Sequence, residues 1–257
     1  MSAPTRAQRN LTADRTIQLL LLYEEGRPVL SASEVANKLG MSRSTTYRYL
    51  QSLRDAGLLE EESAGYRLGP RIFQLARIAR QGLGLSEVAA PVMRRLVDAT
   101  GETILLTRRS GNRVVCLERE ESWRSLRLSY ERGQVLPVHA GASALVTLAW
   151  LDEDELERAV GSEPLERFTD NTITDPRALR ARLGEIRRNG YIVTYGERDQ
   201  GVVGIAAPIF GRRDHVIAGL TIVTPQHRLD AARLDDTVRL VKAAAEEIAA
   251  TIRTIDG

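Results

Sequence analysis

The chain has 257 residues, 43% hydrophobic and 27% charged, with a formal net charge of +2, a balance that supports a packed core and excludes a disordered polyelectrolyte. Its single cysteine, Cys116, excludes an internal disulfide or a cysteine-rich zinc cluster, and no apolar run approaches the roughly 20 residues a bilayer demands; neither a signal peptide nor a membrane span is expected, and the cytoplasm is the expected compartment. Residues 1–80 hold 12 Lys and Arg against 8 Asp and Glu, and residues 81–257 hold 24 against 26, so the positive excess lies at the N-terminal end, although arginine is spread along the whole chain and the bias alone assigns no function.

From Thr12 to Glu25 the apolar residues Ile17, Leu20 and Leu21 recur at helical spacing, with Thr12 as a cap and Gly26 as a stop. Ser31-Ala-Ser-Glu34 is a capping-box pattern that predicts a short second helix, turning Val35 and Leu39 inward and ending at Gly40. Ser42 begins a third, SRSTTYRYLQSLRDAG, with Tyr47, Leu50 and Leu53 as its apolar stripe and Arg43, Ser44, Thr45, Arg48 and Gln51 on the opposite face. Two short helices around a glycine turn, the second polar and basic on its free face, form a helix-turn-helix. Leu58-Leu59, the acidic run Glu60-Glu61-Glu62, the turn Ser63-Ala64-Gly65 and Tyr66-Arg67-Leu68 add a β-hairpin wing. Beyond Gly69-Pro70, the residues Ile72, Leu75, Ala76 and Ala79 predict a connecting helix with one buried stripe, and QGLGLS at 81–86 marks a boundary. The expected organisation is a winged helix-turn-helix over 9–70, a linker helix and hinge over 71–84, and a second domain over 85–257.

In that second domain a helix is expected from Ser86 to Ala99, then a hairpin of Thr103–Arg108 and Arg113–Glu118 about Ser110-Gly111-Asn112, and an alternating strand from Ser125 to Tyr130. Helices follow at Ala142–Ala149, after the acidic cap Asp152–Glu155, and at Pro176–Asn189, the last capped by Asp175 and closed by Gly190. Tyr191–Tyr195, Gly201–Ile209 and Val216–Val223 read as strands. The final helix carries Leu234, Val238, Val241, Ala245, Ile248 and Ile252, a stripe better suited to packing on a sheet than to a coiled coil of fewer than three heptads. Helices around hairpin-connected strands, without regular βαβ alternation, give an α+β class with a central, mostly antiparallel sheet.

The polar start of the third helix suits DNA: hydroxyls and a helix N-terminus meet phosphate, and arginine pairs with a guanine edge. Ser42, Arg43, Ser44, Thr45, Tyr47 and Arg48 are the candidates, with Tyr47 also a member of the apolar stripe. In the wing, Arg67 is the candidate for a phosphate or the minor groove, while Glu60, Glu61 and Glu62 oppose DNA and are expected to point away. The alternative is a winged helix that serves protein contacts. His139-Ala-Gly-Ala-Ser143 sets small residues before an apolar helix, either as open amides for a ligand carboxylate or for close packing on the sheet. Glu197-Arg198-Asp199-Gln200-Gly201 lies between two strands; its carboxylates suit a pocket mouth, and Arg198 and Gln200 suit a solvated turn. Cys116, among Val114, Val115 and Leu117, reads as inert packing. His139, His215 and His227 lack metal-ligand spacing, and no P-loop, G-x-G-x-x-G or G-x-S-x-G motif occurs, so no metal, cofactor or catalytic residue is expected.

Ser42 to Leu50, Gly133–Ala144 (GQVLPVHAGASA), Gly190–Ile209 (GYIVTYGERDQGVVGIAAPI) and Gly219–Pro225 (GLTIVTP) together resemble the IclR family of bacterial transcription regulators, over nearly the whole chain from about Thr12. The resemblance implies a GAF-like effector-binding domain behind the winged helix, a double-stranded DNA operator, homodimers or dimers of dimers, and DNA affinity modulated by a small organic metabolite, a carboxylate or an aromatic. It points to His139, Gly141, Ala142, Ser143, Glu197, Asp199, Gly201, Ala206, Thr221 and Val223 as effector-binding residues. Two departures stand out: Ala144-Leu145 follows His-Ala-Gly-Ala-Ser where the family commonly has Gly-Lys, and Thr221 and Val223 replace a pair of serines, which removes a hydroxyl from the expected pocket wall. The rival from another class is a hydrolase-type enzyme with Ser143 or Cys116 as nucleophile near His139.

Overall fold

The computed structural model describes residues 11–24, 26–81, 84–121, 130–160, 165–212 and 215–255, which fall into two compact units, Met1–Leu83 and Gly84–Gly257. The expected strand at Ser125–Tyr130 lies outside the described residues except for Tyr130. No helix is long and apolar enough to cross a membrane among the described residues.

In the first unit, helix α1 (Leu11–Leu20) precedes strand β1 (Val29–Leu30), helices α2 (Ala32–Leu39) and α3 (Arg43–Asp55), strands β2 (Leu59–Glu62) and β3 (Gly65–Leu68), and helix α4 (Arg71–Gln81). Leu19, Leu30, Val35, Leu50, Leu53, Leu59 and Tyr66 form its core. Helix α1 stops short of Glu25, and Leu19 is its buried residue, while Ile17 and Leu21 are 56% and 69% exposed. The chain leaves the helix so that Leu22 and Tyr23 reach the core from the following turn, where the Tyr23 hydroxyl donates to the Tyr66 carbonyl at 3.1 Å.

The capping box forms as the sequence dictates: Ser31 Oγ accepts from Glu34 N, and Glu34 Oε2 accepts from Ser31 N at 2.8 Å. Gly40 then takes a left-handed φ of 61° and closes α2. Ser42 caps α3 through the Thr45 amide at 3.3 Å. Leu50 and Leu53 turn inward, but Thr46 takes the third inner place and Tyr47 is 53% exposed. A two-residue strand carries no period-two signal, so β1 is visible only in the structure; it pairs Val29 with Arg67 and Leu30 with Tyr66 and turns the hairpin into the sheet β1-β3-β2. Gly65 permits this approach: at φ 145°, a Cβ there would lie 2.4 Å from the Leu30 carbonyl oxygen. Helix α4 departs from its expected burial. Phe73, Leu75 and Ile78 are exposed and Ile72 is half-buried; the first unit meets the helix at its start, where Arg71 N–H donates to the Gly57 carbonyl at 3.1 Å.

The second unit runs helix α5 (Leu85–Thr100), strands β4 (Thr103–Ser110), β5 (Arg113–Glu120) and β6 (Val135–Leu136), helices α6 (Ala142–Leu148), α7 (Glu153–Val160) and α8 (Pro176–Asn189), strands β7 (Ile192–Tyr195), β8 (Val202–Phe210) and β9 (Val216–Pro225), a 3-10 turn at Gln226–Arg228, and helix α9 (Ala231–Ile255). The sheet order is β6-β5-β4-β9-β8-β7, and every described pairing is antiparallel. Alternation sorts each strand between two faces. Ile104, Leu106, Val203, Ile205, Leu220 and Ile222 meet α5 and α9, where the stripe Val241, Ala245, Ile248 and Ile252 packs. Leu105, Val114, Cys116, Ala206 and Val223 face α6 and α8. Glycine lets α6 sit close: a Cβ at Gly204 would meet Ala142 Cβ at 2.9 Å, and one at Gly219 would meet Val146 Cγ1 at 2.5 Å.

Candidate functional site

Two candidate surfaces follow from these elements. The first is the start of α3. Ser42 Oγ lies 2.8 Å from Thr45 Oγ1 and 3.2 Å from Ser44 Oγ, so the three hydroxyls form one hydrogen-bonded chain over the helix N-terminus. Arg43, Tyr47 and Arg48 are exposed beside it, and Arg43 and Tyr47 line a cleft of about 370 Å³ shared with the start of α2 and the tip of the wing. Among the described residues neither Arg43 nor Arg48 makes an ion pair. The other arginines nearby are committed. Arg67 donates through Nε and Nη2 to Glu60 Oε2, at 2.9 and 2.7 Å, and its Nη1 is 2.9 Å from Glu62 Oε1; Arg54 pairs with Glu61 at 3.0 Å. The register that sets Glu60 opposite Arg67 thus turns two acids of the run towards the wing arginine and neutralises them there.

The second surface is a cavity of about 30 Å³ between the start of α6, the β7–β8 turn, β8 and β9. Gly141, Ala142, Ser143, Glu197, Asp199, Thr221 and Val223 line it, brought together because β9 pairs with β8 and α6 lies across both. His139, Gly201 and Ala206 do not line it. The His139 ring points elsewhere, its Nε2 2.8 Å from the Glu166 carbonyl and its face 5.7 Å from Phe168. Gly201 occupies the preceding turn at φ 74°, and Ala206 is packed inside β8.

The polar groups of the cavity are largely occupied by one another. Ser143 Oγ donates to Thr221 Oγ1 at 3.0 Å. Gly141 N–H, an amide expected to be open to a ligand, donates to Glu197 Oε2 at 3.2 Å. Burial raises the Glu197 carboxyl above the usual carboxylate range, against the opposing pull of that amide and of Arg182. The small residues of His139–Ser143 let α6 pack closely on the sheet and also line the cavity, and of the amides at the helix start that of Gly141 is taken by the protein's own carboxylate.

The sequence did not point to Tyr130, Thr194 or Arg198 in the cavity wall, nor to Leu136, Val202 and Gly204. Arg198, read as a solvated turn residue, instead lays its guanidinium over the Tyr130 ring at 4.9 Å, and the Tyr130 hydroxyl donates to Asp199 Oδ2 at 2.6 Å. Burial and the neighbouring Asp199 push the Tyr130 hydroxyl far above its ordinary value, so it stays a donor.

The groups of the rival enzyme reading are each bonded apart: Ser143 to Thr221, His139 to Glu166, and Cys116 Sγ to the Glu118 carbonyl at 3.4 Å. Burial moves the Cys116 thiol up to about 11, the wrong direction for a thiolate nucleophile. No group of three or more His, Cys, Asp or Glu is placed to hold a metal ion among the described residues.

Comparison with known proteins agrees with this architecture at both ends of the chain. Residues 12–63 match the family model described as the IclR helix-turn-helix domain, and residues 79–250 match that of the bacterial transcriptional regulator IclR C-terminal domain. The HTH-type transcriptional regulator KipR of Bacillus subtilis is 31% identical over 245 residues, covering 95% of this chain and 98% of its own. BhcR of Paracoccus denitrificans, also an HTH-type transcriptional regulator, is 35% identical over 237 residues, 91% of this chain and 85% of its own. Among solved structures, an ICLR transcriptional regulator from Silicibacter sp. TM1040 superposes with a TM-score of 0.86 at 29% identity, over 94% of this chain and 96% of that one. An IclR homologue from Microbacterium hydrocarbonoxydans, complexed with 4-hydroxybenzoate, gives 0.80 at 31% identity, over 94% and 99%. The winged helix with its basic third helix, the antiparallel sheet flanked by helices, and these matches together make the chain a member of the IclR family of HTH-type transcriptional regulators.

Proposed function

We propose that this regulator reads its operator through α3, with Arg43 and Arg48 as the principal DNA contacts, Tyr47 beside them, and the hydroxyls of Ser42, Ser44 and Thr45 at the phosphate backbone. The observation that carries the reading is the exposure of Arg43 and Arg48 without an acidic partner on the polar face of a capped helix. Arg67, held by Glu60 and Glu62, makes no phosphate contact. The exposed apolar residues of α1 and α4, Ile17, Leu21, Phe73, Leu75 and Ile78, are the surface on which copies associate as dimers or dimers of dimers, since such side chains are destabilising when left in water. The protein acts in the cytoplasm and performs no catalysis.

The effector is a small organic molecule in the cavity beneath Arg198 and Tyr130, as suggested by the fold shared with the 4-hydroxybenzoate complex. A free volume of about 30 Å³ holds about two waters, so an effector enters only as the wall rearranges. It alters DNA binding by preferring one arrangement of the protein over the other.

The test is fluorescence anisotropy with the DNA upstream of the protein's own coding region, against random duplex, over a salt series. Wild type should prefer the upstream DNA, and Arg48→Ala should weaken that binding roughly ten- to hundred-fold. Unchanged affinity in a folded Arg48→Ala protein removes α3 from the interface.

A further inference from the structure

The cavity wall contains one charged group whose bonding is incomplete. Arg198 Nη1 is buried, and among the described residues it has no hydrogen-bond partner. Asp199 Oδ2 stands 3.9 Å away, beyond hydrogen-bond reach, and that oxygen already accepts from the Tyr130 hydroxyl. Glu197, the other carboxylate of the wall, accepts from Gly141 N–H. Stacking on the Tyr130 ring steadies the guanidinium but supplies no acceptor for Nη1. A buried donor of a charged group without an acceptor is costly, and native sites keep such groups where something else completes them.

Resting on the reading of this cavity as the effector site, we infer that Arg198 is the residue that selects the effector's charge: its Nη1 donates to a carboxylate on the ligand, whose remaining body lies against Leu136, Val202 and Val223. The amide at Gly141 is held by Glu197, and the guanidinium is the charged donor of the wall whose buried Nη1 lacks an acceptor among the described residues. The same geometry restricts the ligand to one negative charge. Glu197 and Asp199 line the cavity with Arg198, and a second carboxylate would face them without a cation of its own.

The test titrates the full-length protein by calorimetry with 4-hydroxybenzoate and with its neutral counterpart 4-hydroxybenzamide, and repeats both on Arg198→Met, Arg198→Lys and Val223→Trp. Thermal unfolding and ligand-free DNA binding report that each variant keeps its fold. Wild type should bind the acid at least about tenfold more tightly than the amide. Arg198→Met should bring that ratio close to one, Arg198→Lys should restore part of it, and Val223→Trp, which fills the cavity, should abolish binding of both. An acid-to-amide ratio that survives Arg198→Met while Val223→Trp still abolishes binding overturns the role of Arg198 and leaves the site standing. Binding that survives Val223→Trp overturns the site itself, and failure of wild type to bind the acid overturns the inference.

Discussion

The two candidate surfaces treat charge in opposite ways. On α3 Arg43 and Arg48 are exposed and, among the described residues, make no ion pair, whereas Arg54 at the far end of the same helix and Arg67 are tied to acids of the wing. In the cavity Ser143 bonds to Thr221, Gly141 to Glu197 and Tyr130 to Asp199, and one nitrogen of Arg198 is left over. Solvent explains the difference. A cation on an open helix face is satisfied by water until a phosphate displaces it, so nothing is lost by leaving it free, and counterion release makes the binding salt-dependent. In the cavity, where there is room for few waters, an unpaired polar group is more costly than on an open face, so the protein supplies internal partners that a ligand must exchange or supplement. DNA contacts on such a surface are lost one side chain at a time; ligand contacts in such a cavity are coupled through their shared partners.

The coupling is broken most strongly at Gly219. A Cβ there would lie 2.5 Å from Val146 Cγ1 and 3.2 Å from Thr107 Oγ1, and Thr107 in turn holds the Ser143 carbonyl at 3.2 Å. Gly219→Ala must therefore push α6 away from the sheet. Denaturant unfolding should show the second unit destabilised by about 1–3 kcal/mol, the usual range for overpacking, with ligand binding weakened alongside. Unaltered unfolding would mean that α6 is not seated on β9 as described.

A smaller effect is expected at Glu197, whose buried carboxyl has a raised pKa with burial as the leading cause. The sign follows from which state binds the proton. Between the ordinary glutamate value and the raised folded value, the native state holds a proton that the unfolded chain has released, so stability falls as pH rises through that window and stays lost above it. Glu197→Gln keeps an acceptor for Gly141 N–H and carries no charge; it should remove that decline and leave the second unit more stable at neutral pH. Parallel melting curves across the window check this, and a variant that loses stability at neutral pH would show the charged form to be the favoured one.

Most of the fold was written in local signals. The Ser31–Glu34 box, the Asp175-Pro176 start and Gly190 stop of α8, and the tight turn at Gly111-Asn112 each depend on neighbours a few residues apart, and α8 spans the interval those caps define. Two-residue strands such as β1 and β6 carry no periodicity to detect. The apolar stripe of α4 was legible, but its exposure was not, since spacing shows which side chains share a face and not what covers them. The candidate cavity divides the same way. Gly141 to Ser143 and the carboxylates of the β7–β8 turn were legible as chemistry near a helix start and a strand end. Tyr130 and Arg198 were not, because the Tyr130–Asp199 contact joins positions 69 residues apart, and a basic residue between two acids reads equally well as a solvated turn.

The smallest expected effect is at Arg67, and it sharpens the contrast between free and committed arginines. Arg67 is a wing residue with its guanidinium at hydrogen-bond distance of both Glu60 and Glu62, and it is half exposed. Ion pairs so open to water are weakly held, yet to reach a phosphate the guanidinium must leave two carboxylates that would then face the DNA unneutralised. The acids thus oppose the very contact that the arginine would make. Arg67→Ala should leave operator affinity within about twofold of wild type, and the slope of affinity against salt should not change, because no phosphate contact is lost. Glu60→Gln with Glu62→Gln supplies the converse: with Arg67 released and two negative charges removed, DNA binding should tighten and its salt slope should steepen. A loss in Arg67→Ala comparable to that in Arg48→Ala would show that DNA itself pulls the wing arginine from its acids, and the division between the two kinds of arginine would fall with it.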